Sequence, residues 1–158
     1  MRFFEKISFE QFKKDVGDNK EIYDNIILPV RGTKKSAGYD IRSVEEGIVR
    51  PRESKIFKTG LKVNMNEDEV LFIYTRSSQG YKYNVTLANS VGVIDSDYYN
   101  NSDNEGHFSV KLINNGDKDF EVKIGDKIAQ GVFVKYLTVD NEEKIENVRV
   151  GGIGSTGK

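Results

Sequence analysis

The sequence predicts an all-β domain, a distorted β-barrel or jelly-roll-like sandwich with one short N-terminal helix. Its composition is the first reason: the 158 residues include fifteen glycines, only two prolines and many Val, Ile, Phe and Tyr. This mixture is typical of many short strands joined by tight turns. The second reason is that Gly, Asn and Asp clusters separate the apolar runs that follow Pro29. The length suits a single domain over residues 1–158.

Residues 1–25 are predicted to form a helical extension. Ser8 and Gln11 have the S-x-x-Q spacing of a capping box. Apolar residues then recur at helical spacing, and Gly17 is placed to end the helix. The predicted role of this helix is packing.

Eight short segments after the helix have the composition of strands and are bounded by turn residues. No linker or internal repeat divides them. The polar residues 100–105 are predicted to form a solvated loop. The predicted strands are residues 26–28, 39–43, 55–64, 70–75, 86–94, 107–113, 120–124 and 127–136.

Charge and residue usage exclude several classes of function. The chain has 24 Lys and Arg against 25 Asp and Glu, so we expect no bulk attraction to nucleic acid or membrane. It has no cysteine and one histidine, His107, which excludes a disulfide, a thiolate cluster and a multi-histidine zinc site. With no long apolar run or signal-like N-terminus, a cytoplasmic protein is expected. Any metal should be a hard cation such as Mg²⁺, held by oxygen.

Two segments carry candidate chemistry that the residues alone leave open. Asp95 follows the apolar run Gly-Val-Ile, where a carboxylate is costly to ionise unless something pairs or uses it. The same Asp-Ser-Asp sequence is also ordinary turn chemistry. The glycine-rich tail, residues 149–158, is either terminal disorder or a mobile flap whose amides close over an anion.

Five segments, taken in order, resemble the motifs of the trimeric deoxyuridine triphosphatases. A single motif of this kind would be weak evidence, whereas five in the right order are specific. The resemblance covers the chain from about Pro29 to its end. The segments are SAGYDIRS at residues 36–43, TRSSQG at 75–80, GVIDSDY at 92–98, GDKIAQ at 125–130 and GGIGSTG at 151–157.

This resemblance implies an activity and an assembly. Enzymes of this family hydrolyse dUTP to dUMP and pyrophosphate, which limits uracil incorporation into DNA and supplies dUMP for thymidylate synthesis. They require Mg²⁺, which is bound mainly by substrate phosphates and water. They form homotrimers whose active sites lie at subunit junctions and take motifs from more than one chain. The implied partners are therefore dUTP and further copies of the chain, without nucleic acid or membrane.

The third motif implies the residues that recognise the nucleoside and activate water. Asp95 matches the carboxylate that holds the attacking water, and Tyr98 matches the ring that packs against deoxyribose. Asn89 matches a side chain that faces uracil, and an amide offers both a donor and an acceptor to a pyrimidine edge. The backbone of Val93 and Ile94 would complete that edge recognition.

The resemblance also implies a set of phosphate ligands. Arg76, Ser77 and Ser78 match the phosphate-contacting motif, in which arginine offers a bidentate fork and the hydroxyls add donors. Gln130 matches a further donor on the phosphate side. Asp40 matches a carboxylate that acts on the metal indirectly, through water, or that orients other groups. A purely structural pairing of Asp40 is the alternative.

The tail is expected to complete the site as a flexible active-site segment over residues 149–158. Arg149 would neutralise the γ-phosphate, while Gly154 and Ser155 would wrap the phosphate chain. Ile153 stands where most relatives have an aromatic residue over the uracil. Only Val150 separates Arg149 from the glycines, one residue fewer than in many relatives, so the reach of Arg149 is in question.

Two alternatives to a simple dUTP hydrolase belong to the same fold. A bifunctional dCTP deaminase and dUTPase would need a glutamate at the position that aligns with Lys111. A non-catalytic nucleotide-binding regulatory trimer would not need Asp95, Gln130 and Arg149, which are all present. Both comparisons favour the hydrolase. Asp97 receives no role from the resemblance and is interpreted as a structural partner within the hairpin.

Overall fold

Twelve short strands and three short helices make up the part of the chain, residues 1–154, that the computed structural model describes. The all-β class is confirmed, although within these residues the strands form four sheets and no closed barrel. No helix in this part is long and apolar enough to cross a membrane.

The helices are α1 (Phe9–Asp15), α2 (Lys20–Asp24) and α3 (Ser77–Tyr83), and a 3₁₀ turn covers Ser96–Tyr98. The strands are β1 (Phe3–Lys6), β2 (Val30–Arg31), β3 (Tyr39–Arg42), β4 (Gly47–Val49), β5 (Ser54–Lys58), β6 (Leu61–Asn64), β7 (Glu69–Tyr74), β8 (Val85–Leu87), β9 (Gly92–Asp95), β10 (Ser109–Asn114), β11 (Phe120–Val122) and β12 (Lys127–Lys135).

The largest sheet has five strands in the order β2-β3-β12-β7-β9, and all of its pairings are antiparallel. A second sheet runs β5-β10-β8, and the pairs β1-β6 and β11-β4 complete the fold. Inward residues of the sheets meet in one core that includes Ile41, Phe57, Leu71, Leu112 and Ile128, each with 1% or less of its surface exposed. Because successive side chains of a strand point to opposite faces, every second residue remains available for the outer surface.

The N-terminal helix begins where the sequence predicts. The Ser8 hydroxyl accepts a hydrogen bond from the Gln11 amide at 3.1 Å. The second bond of the expected capping box is replaced, because the Ser8 amide donates to the Glu105 carboxylate instead. Residues 1–25 are also not wholly helical: β1 precedes α1 and pairs with β6.

Four other predictions of local structure differ from the structure. Residues 26–28 form no strand. The segments 55–64 and 86–94 each divide into two strands, at Gly60 and at Ser90, both of which have positive φ. Strand β10 begins two residues after His107. The sequence does not predict helix α3, because this segment contains Gly80 and two tyrosines, which are weak helix formers.

Candidate active site

Three neighbouring strands bring the predicted phosphate ligands together. Gln130 on β12 lies opposite Asp40 on β3 and Tyr74 on β7. Its amide Nε2 donates to the Thr75 carbonyl at 3.1 Å, which fixes the chain just before Arg76. The first, second and fourth motifs therefore share one end of the five-stranded sheet.

Asp40 is paired with two cations at this end of the sheet. Its Oδ1 lies 3.3 Å from Arg76 Nε, and its Oδ2 lies 2.6 Å from Lys127 Nζ. The side chain of Asp40 is only 14% exposed, so these pairs are partly shielded from solvent. The geometry favours the orientation of Arg76 as the role of Asp40. Lys127 is a residue of this site that sequence reasoning missed, although it lies within the fourth motif.

Ser77 and Ser78 are the first two residues of α3, and both are exposed beside Arg76. Arg76 itself is the N-cap residue and makes no side-chain capping bond. The helix follows because the Gln79 and Gly80 amides donate to the Arg76 carbonyl. The surface at this point therefore presents two hydroxyls next to a guanidinium group.

Asp95 ends β9 at the other end of the sheet. Ile94 is buried in the core, so alternation along the strand turns Val93 and Asp95 outward. The Asp95 side chain is 50% exposed. Asn89 is exposed in the turn that joins β8 to β9, where the Val91 amide donates to its carbonyl at 2.7 Å.

Tyr98 closes the 3₁₀ turn after Asp95 and packs partly against the core. Its hydroxyl donates to the His107 carbonyl at 3.0 Å. Burial raises the pKa of the Tyr98 phenol further above its ordinary value, at which the ring is already neutral near pH 7. The ring is therefore neutral and held at its hydroxyl, three residues after Asp95 in the chain.

The tail lies over the third motif of its own chain. Arg149 Nη2 donates to Asp95 Oδ2 at 2.5 Å, and Arg149 Nε donates to Asp97 Oδ1 at 2.7 Å. A Cβ on Gly152 would lie 2.9 Å from the Tyr98 hydroxyl oxygen, which shows how closely the tail backbone approaches the ring. Asp97, interpreted above as a partner within the hairpin, instead pairs with the tail.

The remaining tail predictions have different outcomes. Ile153 is fully exposed, and Gly154 is exposed with φ +77. Ser155 lies outside the residues that the structure describes. The contacts of the tail with the hairpin thus reach from Arg149 to Gly152.

Within one chain, the predicted residues around Arg76 and those around Asp95 lie far apart. On β7 the register is Val70 opposite Asp95, and Arg76 follows Val70 by six residues. At the rise of an antiparallel strand this separates Arg76 from Asp95 by about 20 Å. Within one chain, the predicted phosphate ligands around Arg76 therefore lie at the opposite end of β7 from the Asp95 carboxylate.

Within residues 1–154 no group of three or more His, Cys, Asp or Glu side chains is arranged to hold a metal ion. Asp40, the one residue expected to act on a metal, directs both carboxylate oxygens at cations.

Comparison with known proteins gives a consistent result. The family model described as dUTPase matches residues 24–157. The deoxyuridine 5'-triphosphate nucleotidohydrolase of Lactococcus lactis is 47% identical over 133 residues, which cover 84% of this chain and 89% of that protein. The enzyme of the same name from Nautilia profundicola is 36% identical over 143 residues, covering 88% of this chain and 96% of the relative.

Solved structures agree with this result. The dUTPase of Streptococcus mutans matches with a TM-score of 0.73 and 36% identity, covering 88% of this chain and 99% of that one. A dUTPase from phage phi11 of S. aureus, whose structure describes a structural Mg(II) ion, matches with a TM-score of 0.68. At 21% identity, over 93% of this chain and 97% of that one, this second match shows a common fold alone. By its family model and its relatives, this chain belongs to the dUTPase family.

Proposed function

We propose that this protein hydrolyses dUTP to dUMP and pyrophosphate, with Asp95 activating the attacking water. The observation that carries the proposal is the Asp95 carboxylate, which is half exposed at the end of a strand whose preceding residue is buried. A rigid strand end gives a base a fixed position, and its open half gives water access. The names of the curated relatives support the same substrate.

The base acts on a water molecule within hydrogen-bond reach. Asp95 takes a proton as the water oxygen attacks phosphorus, the bond between the α- and β-phosphates breaks, and pyrophosphate leaves. A positioned general base contributes about 10²–10⁴-fold to such a step. Beside it, Tyr98 would pack against deoxyribose, and Asn89 with the backbone of Val93 and Ile94 would bind the uracil edge.

Two groups of ligands would stabilise the negative charge of the phosphates. Arg76, Ser77, Ser78 and Gln130 supply a guanidinium fork, two hydroxyls and an amide donor. Arg149 supplies a second guanidinium from the tail. Stabilisation of transferred phosphoryl charge by such donors and cations accounts for most of the catalysis in this class of reaction.

Arg149 has to leave its present partners to reach a phosphate. Asp95 and Asp97 are 50% and 59% exposed, and ion pairs at such sites are worth at most about 1 kcal/mol. A substrate with several phosphate charges therefore competes effectively for the guanidinium. Transfer of Arg149 to the γ-phosphate would also free Asp95 for water, so binding and activation of the base are linked.

We further propose a homotrimer with shared active sites. The separation of about 20 Å between the backbones of Arg76 and Asp95 along β7 supports a site that a second chain completes. The outer face of the large sheet offers an interface, since Val93, Phe72 and Val132 lie side by side across β9, β7 and β12. Val93 is 59% exposed, and apolar surface of this kind is typical of subunit contacts.

Mg²⁺ is the proposed cofactor, bound mainly by the substrate phosphates and water. The pairing of Asp40 with Arg76 and Lys127 supports this arrangement, because it leaves no carboxylate cluster among the described residues to hold the ion directly. When bound, Mg²⁺ neutralises phosphate charge. Asp40 would contribute by holding Arg76 and, through water, by contacting the ion.

The proposal is tested by pyrophosphate release from dUTP, UTP, dCTP and dTTP in parallel, with and without Mg²⁺. We expect release from dUTP alone, and only with Mg²⁺. Absence of release from dUTP would overturn the proposed function. Ammonia release from dCTP would instead establish the bifunctional alternative, against which Lys111 argues.

A further inference from the structure

The polar loop after the third motif is folded around Tyr98 and is not a simple solvated loop. Asn101 is only 8% exposed, and its Nδ2 donates to the Tyr98 carbonyl at 2.8 Å. Its Oδ1 accepts from the amides of Asp103 and Asn104 at 3.0 and 3.1 Å. The backbone of Tyr98 is thus tied to the loop by a buried side chain.

A second asparagine holds the other end of the tyrosine. Asn104 Nδ2 donates to the Tyr98 hydroxyl at 2.8 Å and to the His107 carbonyl at 3.1 Å. Asn104 Oδ1 accepts from Asn101 Nδ2 at 2.9 Å and from the Gly106 amide at 3.1 Å. Both donors and both acceptor positions of the Asn104 amide are therefore used.

The phenol is held from two sides, because its oxygen accepts from Asn104 and donates to the His107 carbonyl. His107 is itself fixed in the core. It is 4% exposed, and its Nε2 accepts from the Gly60 amide at 2.9 Å. The Tyr98 hydroxyl is thus held by the loop residue Asn104 and by the backbone of a core residue, His107.

The loop also packs closely against the backbone of Tyr98 and Tyr99. Gly106 has φ +88, and a Cβ there would lie 2.6 Å from the Tyr98 carbonyl oxygen and 3.1 Å from the Tyr99 Cα. On another side the backbone of Gly152 approaches the same ring. A displacement of Tyr98 requires rearrangement of the loop, and Asn104 is the side chain that opposes it.

We propose that Asn104 is a positioning residue that fixes the Tyr98 ring and thereby sets the discrimination between deoxyribose and ribose. This inference rests on the proposed function, in which the ring packs against the sugar. A ring held at its hydroxyl cannot shift away from the sugar, so a 2′-hydroxyl clashes sterically with it. Loss of the Asn104 side chain removes one anchor of the phenol and opens space into which the ring can tilt.

The test compares kcat/KM for dUTP and UTP in the full chain with Mg²⁺. One neutral hydrogen bond, worth about 1 kcal/mol, changes an equilibrium by about fivefold. We therefore expect Asn104→Ala to reduce the dUTP-to-UTP ratio by about fivefold, mainly because UTP turnover rises. The matched control is Asn115→Ala, which removes an exposed asparagine from the turn after β10 and should leave the ratio unchanged.

A double-mutant cycle separates positioning from general loop stability. Tyr98→Phe lacks the hydroxyl that Asn104 contacts, so adding Asn104→Ala to it should change the ratio by less than about twofold. An unchanged ratio in Asn104→Ala, or a full additional loss in the Tyr98→Phe background, would overturn the inference.

The relative affinities for dUMP and UMP, measured by calorimetry, give a second readout that does not require turnover. If the protein releases no pyrophosphate from dUTP, the proposed function fails, and the calorimetric ratio still decides the role of Asn104. A smaller preference for dUMP in Asn104→Ala supports the inference. An equal preference in the two proteins, or binding of neither nucleotide by the unaltered chain, overturns it.

Discussion

Helix α3 carries a buried amide whose replacement should stabilise the protein. Gln79 is 2% exposed, and within residues 1–154 neither its Oε1 nor its Nε2 has a hydrogen-bond partner. Gln11 in α1 offers the matched control, because it is 8% exposed and its side chain interacts with the Asp15 carboxylate, whose pKa it helps to lower. The same substitution, glutamine to leucine, should therefore have opposite effects at the two positions.

The magnitude follows from the state of each amide. An unpartnered buried polar group costs about 1–3 kcal/mol, so Gln79→Leu should raise the free energy of unfolding by that amount. For a chain of this size each kcal/mol corresponds to about 2–4 °C in Tm. Gln11→Leu removes that interaction with a charged group, and we expect it to lower the free energy of unfolding by up to about 1.5–3 kcal/mol.

Urea unfolding followed by circular dichroism measures both changes. All proteins should be compared at one protomer concentration, since association adds to apparent stability. A destabilised Gln79→Leu variant with an unchanged m-value would refute the reasoning, because it would show that Gln79 has a hydrogen-bond partner in the assembled protein. If Gln11→Leu is destabilised but Gln79→Leu is not stabilised, the assay is shown to work and the claim for Gln79 is not supported.

Three further predictions concern the hairpin, the single histidine and the tail. Asp95→Asn should lower turnover at least about 10²-fold while nucleotide binding persists, whereas Asp97→Asn should change turnover less than about fivefold. Burial lowers the pKa of His107 below its ordinary value, so as the pH falls the histidine of the unfolded chain is protonated before that of the folded chain. The free energy of unfolding should therefore fall as the pH drops below about 6.5, and this decrease should be smaller in His107→Gln. Ile153→Phe should tighten dUTP binding by up to about tenfold through stacking on uracil.

For each of these variants, one specific result would contradict the prediction. Near-normal dUTP turnover by Asp95→Asn would reject it as the base, and an equal loss in Asp97→Asn would show that docking of Arg149 matters as much as the base. Identical pH profiles for the unaltered protein and His107→Gln would remove the histidine as the cause. Equal or weaker binding by Ile153→Phe would remove the stacking argument.

The sequence predicts those features that local pattern encodes. The N-cap at Ser8 follows from the spacing to Gln11, and the strand that ends at Asp95 follows from the apolar run before it. Motif order locates Arg76 and Gln130, which the structure brings together at one sheet end. These features depend on neighbours close in sequence or on a resemblance that covers most of the chain.

Features that depend on long-range pairing were not predicted. Strand β1 pairs with β6, about 60 residues away, and its four residues are too few for their two phenylalanines to predict a strand alone. The contact of Lys127 with Asp40 depends on the register between β12 and β3. The Asn104 side chain turns inward because its amide donates to the Tyr98 hydroxyl, and local sequence does not show this contact. The loop, predicted to be solvated, is therefore partly buried.

Subunit complementation tests the central claim, an active site assembled from separate chains, most directly. Asp95→Asn lacks the base and Arg76→Ala lacks a phosphate ligand, so each variant alone should be inactive on dUTP. When the two are unfolded and refolded together, about one quarter of the sites should combine an intact Asp95 with an intact Arg76, because chains assort at random in a symmetric oligomer. Recovery of about a quarter of normal dUTP turnover is the predicted result. No recovery, with mixed oligomers demonstrated by mass spectrometry, would contradict the shared site.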